Sequence, residues 1–180
     1  MPGFGTSKKT KSLADELMGH LRTTCKTIDI KAACEQHMKD IGQPANVYDV
    51  TYENIQARER TQILFDYANM VGGLVIGTGD LSELALGWCT YNGDHMSNYA
   101  VNVGVPKTLV KYLVDTYADI YADDNGTRST KSILKDIVDL PISPELLPTD
   151  ENGEMIQKTE ESIGKYDLHD FFLYHYLRNG

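Results

Sequence analysis

A chain of 180 residues with 41% hydrophobic content has enough apolar side chains for one packed domain and too few for two. Its formal charge of −9 excludes broad electrostatic binding to nucleic acid or to an anionic membrane surface, so any phosphate ligand must be held by local groups. No apolar run is long enough to span a bilayer, Met1-Pro2-Gly3-Phe4-Gly5 is no signal peptide, and Cys25, Cys34 and Cys89 match no metal spacing, so reduced thiols in a cytoplasmic protein are expected.

In chain order, Leu13, Leu17, Met18 and Leu21 recur at helical spacing after Ser12, which predicts a helix capped by that serine. The β-favouring run Lys26–Ile30 predicts a short strand, and 32–41 a second helix. Thr51 to Val71 is the longest periodic stretch, with Ile55, Ile63, Leu64, Tyr67 and Ala68 on its apolar side, and Gly72-Gly73 ends it. Leu74-Val75-Ile76 then reads as a strand buried on both faces, because it does not alternate. Helices follow at 81–87, 106–121, 129–138 and 167–178, with Pro106 in a first helical turn and Asp123-Asp124-Asn125-Gly126 as a break. Pro141 to Lys165 is rich in Pro, Glu, Thr and Gly and reads as a loop of active-site or linker type. Alternating helix and strand predict an α/β fold with a parallel sheet.

Within that frame Gly77-Thr78-Gly79-Asp80 turns a strand into a helix, at the carboxyl edge where α/β folds place nucleotides. Its glycines admit a ligand close to the backbone, the helix start favours anionic groups, and Glu83 is a hard oxygen ligand for magnesium. The same string is also ordinary helix-start chemistry with Asp80 as the cap.

Four strings in order, Asn54-Ile-Gln-Ala-Arg58, Gly77 through Trp88, Asn102 through Thr108 and Ile142 through Pro148, make the chain resemble the synthetase domain of glutamine-dependent NAD synthase, almost end to end. The resemblance implies a parallel-sheet, adenine-nucleotide-hydrolase-like (PP-ATPase) domain. It implies a ligase that uses ATP and magnesium to adenylate the nicotinate carboxylate of deamido-NAD, after which ammonia from a glutaminase domain displaces AMP. By resemblance Thr78, Lys107 and Ser143 meet ATP, with Lys107 also catalytic; Glu83 holds magnesium; and Asn54, Arg58, Glu83, Trp88, Asp94 and Asn98 meet deamido-NAD. Each has a plainer reading beside it: a turn threonine, a first-turn glutamate, surface charges at Arg58 and Lys107, a half-buried core tryptophan, ordinary polar loop residues.

Departures from the family pattern qualify that expectation. Tyr91 stands near the position where shorter, ammonia-only relatives carry a lysine, so no nicotinate-side role carries over to it. None of the five histidines shows a nucleophile–base pattern. The family's Ser-Gly-Gly-x-Asp-Ser loop is absent from the sequence, Met1–Thr6 resembles the loop after the family's second strand, and no glutaminase sequence or lysine-bearing tail is present. The expectation is therefore a partial synthetase domain over 1–180, lacking the first strands, inactive alone and homo-oligomeric. A nucleotide-binding or assembly module without catalysis, and another amidotransferase of the same fold such as a GMP synthase, are the alternatives.

Overall fold

The computed structural model describes residues 1–120, 123, 128–148 and 159–180. Its helices are α1 (Lys8–His20), α2 (Lys31–Ile41), α3 (Val50–Val71), α4 (Leu81–Leu86), α5 (Lys107–Ile120), α6 (Thr130–Val138), α7 (Thr159–Ile163) and α8 (Tyr166–Asn179), with strands β1 (Ile76–Gly77) and β2 (Tyr99–Ala100). The strands run parallel, Ile76 beside Tyr99 and Gly77 beside Ala100. The expected α/β alternation with a parallel sheet is therefore present, on a small scale and within a largely helical chain.

Local chemistry accounts for the helix limits. Ser7, not Ser12, caps α1: its Oγ accepts from Thr10 N at 3.0 Å, while Ser12 Oγ donates to Glu16 within the helix. Asp49 Oδ1 caps α3 by accepting from Thr51 N and Tyr52 N, and Gly72 closes that helix at φ 68°, where a side chain would be strained. Pro106 sits just before α5 and its carbonyl accepts the first helical bond, from Val110 N, so it precedes the first turn and does not belong to it. A short helix, α7, falls inside the stretch expected to be all loop. Asp124 to Gly126 of the expected break, and residues 149–158 of that loop, lie outside the described residues.

Two strand expectations are corrected. Lys26–Ile30 forms no strand; it runs to α2 with Ile30 N donating to Pro2 O at 3.2 Å, because no neighbouring strand is there to complete a ladder. Leu74-Val75-Ile76 is not buried on both faces. Val75 is buried, but Leu74 and Ile76 are more than half exposed, since the two-stranded sheet is covered on one side only.

The principal core cluster joins Ile30, Cys34 and Met38 to Tyr52 and Ile55, with Met1, Phe4, Ile63 and Leu147 against it. Burial pushes the Cys34 thiol up to about 11. A second layer packs α5 against α6 and α6 against α1, and α8 lies on α4 and α5. The surface totals 11560 Å², where a folded monomer of this mass exposes about 8,700 Å². Large apolar side chains are exposed: Phe171, Phe172, Tyr176 and Leu177 on α8, and Leu74, Ile76 and Tyr99 in and beside the sheet, all stand in solvent.

Candidate functional site

Strand β1 ends at Gly77, where a Cβ would come within 2.6 Å of Ser97 Cβ, so only glycine fits. Thr78 is exposed just beyond it, and Asp80 starts α4 with a reciprocal cap. Asp80 Oδ1 accepts from Glu83 N at 2.9 Å, and Glu83 Oε2 accepts from Asp80 N at 3.1 Å. The outer oxygens of the same two carboxylates meet Lys107 Nζ, at 2.7 Å from Asp80 Oδ2 and 2.5 Å from Glu83 Oε1. Burial works against the Lys107 ammonium, but the hydrogen bonds it donates to Asp80 and Glu83, reinforced by their charges, prevail and hold it above its ordinary range.

A second network fixes the backbone of Lys107. Its N–H donates to Ser82 Oγ at 2.9 Å; Ser82 donates in turn to Asp170 Oδ1, and Asp170 Oδ2 accepts from Thr108 N at 2.9 Å and Thr108 Oγ1 at 2.7 Å. Ser82 and Asp170 are both buried. A carboxylate from α8 thus caps α5 from outside the helix, where the positive end of the helix dipole favours it. Tyr166, at the start of α8, places its ring 5.6 Å from Lys107 Nζ, and burial pushes its phenol up to about 12.

Of these groups Glu83, Lys107 and Tyr166 line a cleft of about 670 Å³. Of the residues expected to bind ligand, Asn54, Thr78, Glu83, Trp88, Asp94, Lys107 and Ser143 all line it. Asn54 is buried, and Trp88 is 36% exposed. Asp94 accepts from Thr90 Oγ1 at 2.8 Å, and Ser143 Oγ accepts from Glu145 N at 3.2 Å.

Two expected residues are not brought to the cleft wall. Arg58 is exposed, and its Nε donates to Tyr91 O at 3.0 Å, which separates it from Asn54 despite their one-turn spacing. Asn98 uses Oδ1 to accept from Val75 N at 2.8 Å and so anchors the start of the strand segment. Sequence reading passed over Tyr166, Thr159 and His95, which also line the cleft. His95 Nδ1 is buried with no hydrogen-bond partner among the described residues. Only its place beside Lys107 in space, not any motif, identifies the tyrosine.

Among the described residues no group of three or more His, Cys, Asp or Glu is close enough to hold a metal by itself. Magnesium does not need such a group, since it keeps several waters and takes one or two carboxylates beside substrate phosphates. Glu83, which lines the cleft, is a carboxylate of the hard-oxygen kind, and its Oε1 is held by Lys107 Nζ.

A strand end and a helix start with a lysine paired to that helix's first-turn carboxylates, beside one cleft, fit an α/β domain of nucleotide-binding type. A family model for NAD synthase matches residues 1–177, and the chain belongs to the NAD synthase family. It is 45% identical over 185 aligned residues to the glutamine-dependent NAD(+) synthetase of Mycobacterium leprae, which covers all of this chain and 27% of that protein. The chain therefore spans about a quarter of the length of such curated relatives. Its fold is similar to that of NMN synthetase from Francisella tularensis, with TM-score 0.76, 26% identity, and 96% of this chain and 63% of that one covered. It is also similar to glutamine-dependent NAD+ synthetase from Acinetobacter baumannii in complex with ADP, with TM-score 0.68, 27% identity, and 98% and 28% covered. No helix among the described residues is long and apolar enough to cross a membrane.

Proposed function

We propose that residues 1–180 are part of the ligase domain of a glutamine-dependent NAD synthase, and that the cleft binds ATP and deamido-NAD side by side. A carboxylate resists attack by ammonia until it is activated. A nicotinate oxygen attacks the α-phosphorus of ATP and the α–β phosphoanhydride bond breaks, releasing pyrophosphate. Ammonia derived from glutamine then attacks the acyl carbon, the bond to AMP breaks, and the nitrogen sheds a proton to yield the amide.

Side chains on the cleft wall suit those demands. Lys107, fixed by Ser82 and Asp170, carries the charge that meets ATP phosphates, with Thr78 and Ser143 as hydroxyl contacts. Asn54, Trp88 and Asp94 face the dinucleotide, Trp88 offering a flat ring for stacking. Arg58 reaches the dinucleotide from the rim beside Tyr91. Magnesium would be held by Glu83, with Asp80 nearby, and would supply charge neutralisation on the phosphates. The observation that carries the reading is that Thr78, Glu83, Trp88, Lys107 and Asn54, scattered over 54 to 107, line one cleft.

A second reading, formation of NMN from its carboxylate precursor, draws on the likeness to the Francisella NMN synthetase. The full-length enzyme, given ATP, magnesium, glutamine and either deamidated substrate, separates the two. NAD formation is expected from deamido-NAD; turnover of the mononucleotide alone would favour the second reading, and turnover of neither would overturn both.

A further inference from the structure

Gln56 lies in the first third of α3 and is 0% exposed, the setting in which a primary amide is costly unless every polar atom finds a partner. Its Nε2 donates to Leu146 O at 2.8 Å and to Tyr52 O at 3.3 Å, while Oε1 accepts from Phe4 N at 3.0 Å. One side chain thus fastens the amino-terminal segment and the Ile142–Leu147 segment to the same helix.

The second of those segments needs fastening. Ile142, Ser143 and Pro144 line both the main cleft and a second pocket of about 420 Å³, so this stretch is shared between the two. Leu146 is its buried anchor, 2% exposed, and Glu145 adopts φ 50°, a conformation uncommon for a residue with a side chain. The amino-terminal segment supports the same turn. Thr10 Oγ1 donates to Glu145 Oε1 at 2.5 Å, and Gly5 packs so tightly that a Cβ would fall 2.5 Å from Leu147 O.

We propose that Gln56 is a positioning residue, a clasp that holds the Ser143 wall at the ATP side of the cleft by joining Met1–Ser7, α3 and the 142–147 segment into one unit. It touches neither substrate; it acts through Leu146 and hence Ser143. The nucleotide part of this inference rests on the reading that Ser143 meets ATP.

Two measurements test it. In the 180-residue chain without ligand, Gln56→Met keeps the volume but removes both donors and the acceptor. Amide exchange at Phe4 and across 143–148 should accelerate at least about tenfold, with α5, α6 and α8 little changed. Gly5→Ala, which disturbs the same turn without touching α3, should loosen 143–148 similarly. Unchanged exchange there, or an acceleration spread evenly over all helices, overturns the clasp. In the full-length enzyme Gln56→Met should raise KM for ATP about tenfold while kcat and KM for deamido-NAD stay within about twofold. Equal loss in both KM values, or no change in either, overturns the positioning role even where the exchange result stands. An enzyme that never uses ATP would sink the nucleotide reading and the positioning role together, leaving exchange to decide the clasp alone.

Discussion

Lys107 Nζ lies 2.5 Å from Glu83 Oε1, so the cation proposed for the ATP phosphates is neutralised by the carboxylate proposed for magnesium. Each group is held in place by the other, and incoming phosphates offer Lys107 a replacement partner while leaving Glu83 Oε1 open. Glu83→Gln keeps the shape but removes the hard charge. In the full-length enzyme it is expected to lower turnover about a hundredfold and to leave deamido-NAD affinity nearly intact. Steady-state kinetics with a magnesium titration checks this; wild-type turnover and wild-type magnesium dependence would remove Glu83 from the metal site.

The buried Asp170 carboxylate accepts three hydrogen bonds, from Ser82, Thr108 N and Thr108 Oγ1. Asp170→Ala leaves the Thr108 N–H and the two hydroxyls short of a partner inside the protein and is expected to cost about 3 kcal/mol of stability. Paired with Ser82→Ala, the losses should fall short of additive because the two residues share one network. Urea unfolding of the four proteins measures the coupling, and strict additivity would argue that the network is not a unit.

Alkaline pH should weaken the fold. The Lys107 ammonium is favoured in the folded state, so its contribution is fully present below about 10.5 and is lost as pH rises through its higher folded value. Burial raises the Cys34 thiol to about 11 and the Tyr52 and Tyr166 phenols to about 12, so the unfolded chain ionises first and gains stability from roughly pH 9 upward. All four effects have the same sign. The urea midpoint is expected to fall steadily between pH 9 and 11, and Tyr166→Phe should remove one late step from the tyrosinate absorbance titration. A midpoint flat over that range would contradict the assigned burial.

Arg58 has its Nε on Tyr91 O and its guanidinium 5.8 Å from the Tyr91 ring, leaving its remaining donors at the rim. Arg58→Ala in the full-length enzyme is expected to raise KM for deamido-NAD about tenfold, the loss of one charge-assisted contact. A rise confined to ATP would assign Arg58 to the other substrate.

Incubated alone with ATP, magnesium, ammonia and deamido-NAD, the 180-residue chain is expected to form no NAD. Its sequence has no Ser-Gly-Gly-x-Asp-Ser string, so Lys107 would face the pyrophosphate with few preorganised donors, and loss of even one such donor costs about a hundredfold. NAD above a no-protein control would show that the absent loop is dispensable.

Helix positions were readable because their determinants are local. Asp49, Asp80 and Ser129 cap the helices that follow them, Gly72 and Gly87 end theirs, and the apolar periodicity of α3 spans the whole element. Strands were read less well. Lys26–Ile30 and Leu74–Ile76 both have β-favouring residues, but a strand exists only where a neighbour completes its ladder: the second run enters β1 at Ile76 because β2 lies alongside, and the first has no such neighbour.

The sequence alone determined the family pattern, the Gly77–Asp80 turn, and the cap that sets Glu83 toward Asp80, since those depend on residues a few positions apart. Tertiary structure alone decided that Lys107 sits between Asp80 and Glu83, that Asp170 from the last helix caps α5, and that Arg58 turns to Tyr91 while Asn54 turns to the cleft. Those pairings join residues 24 to 62 positions apart, and which distant side chains meet is set by how the helices pack, a property no local pattern encodes.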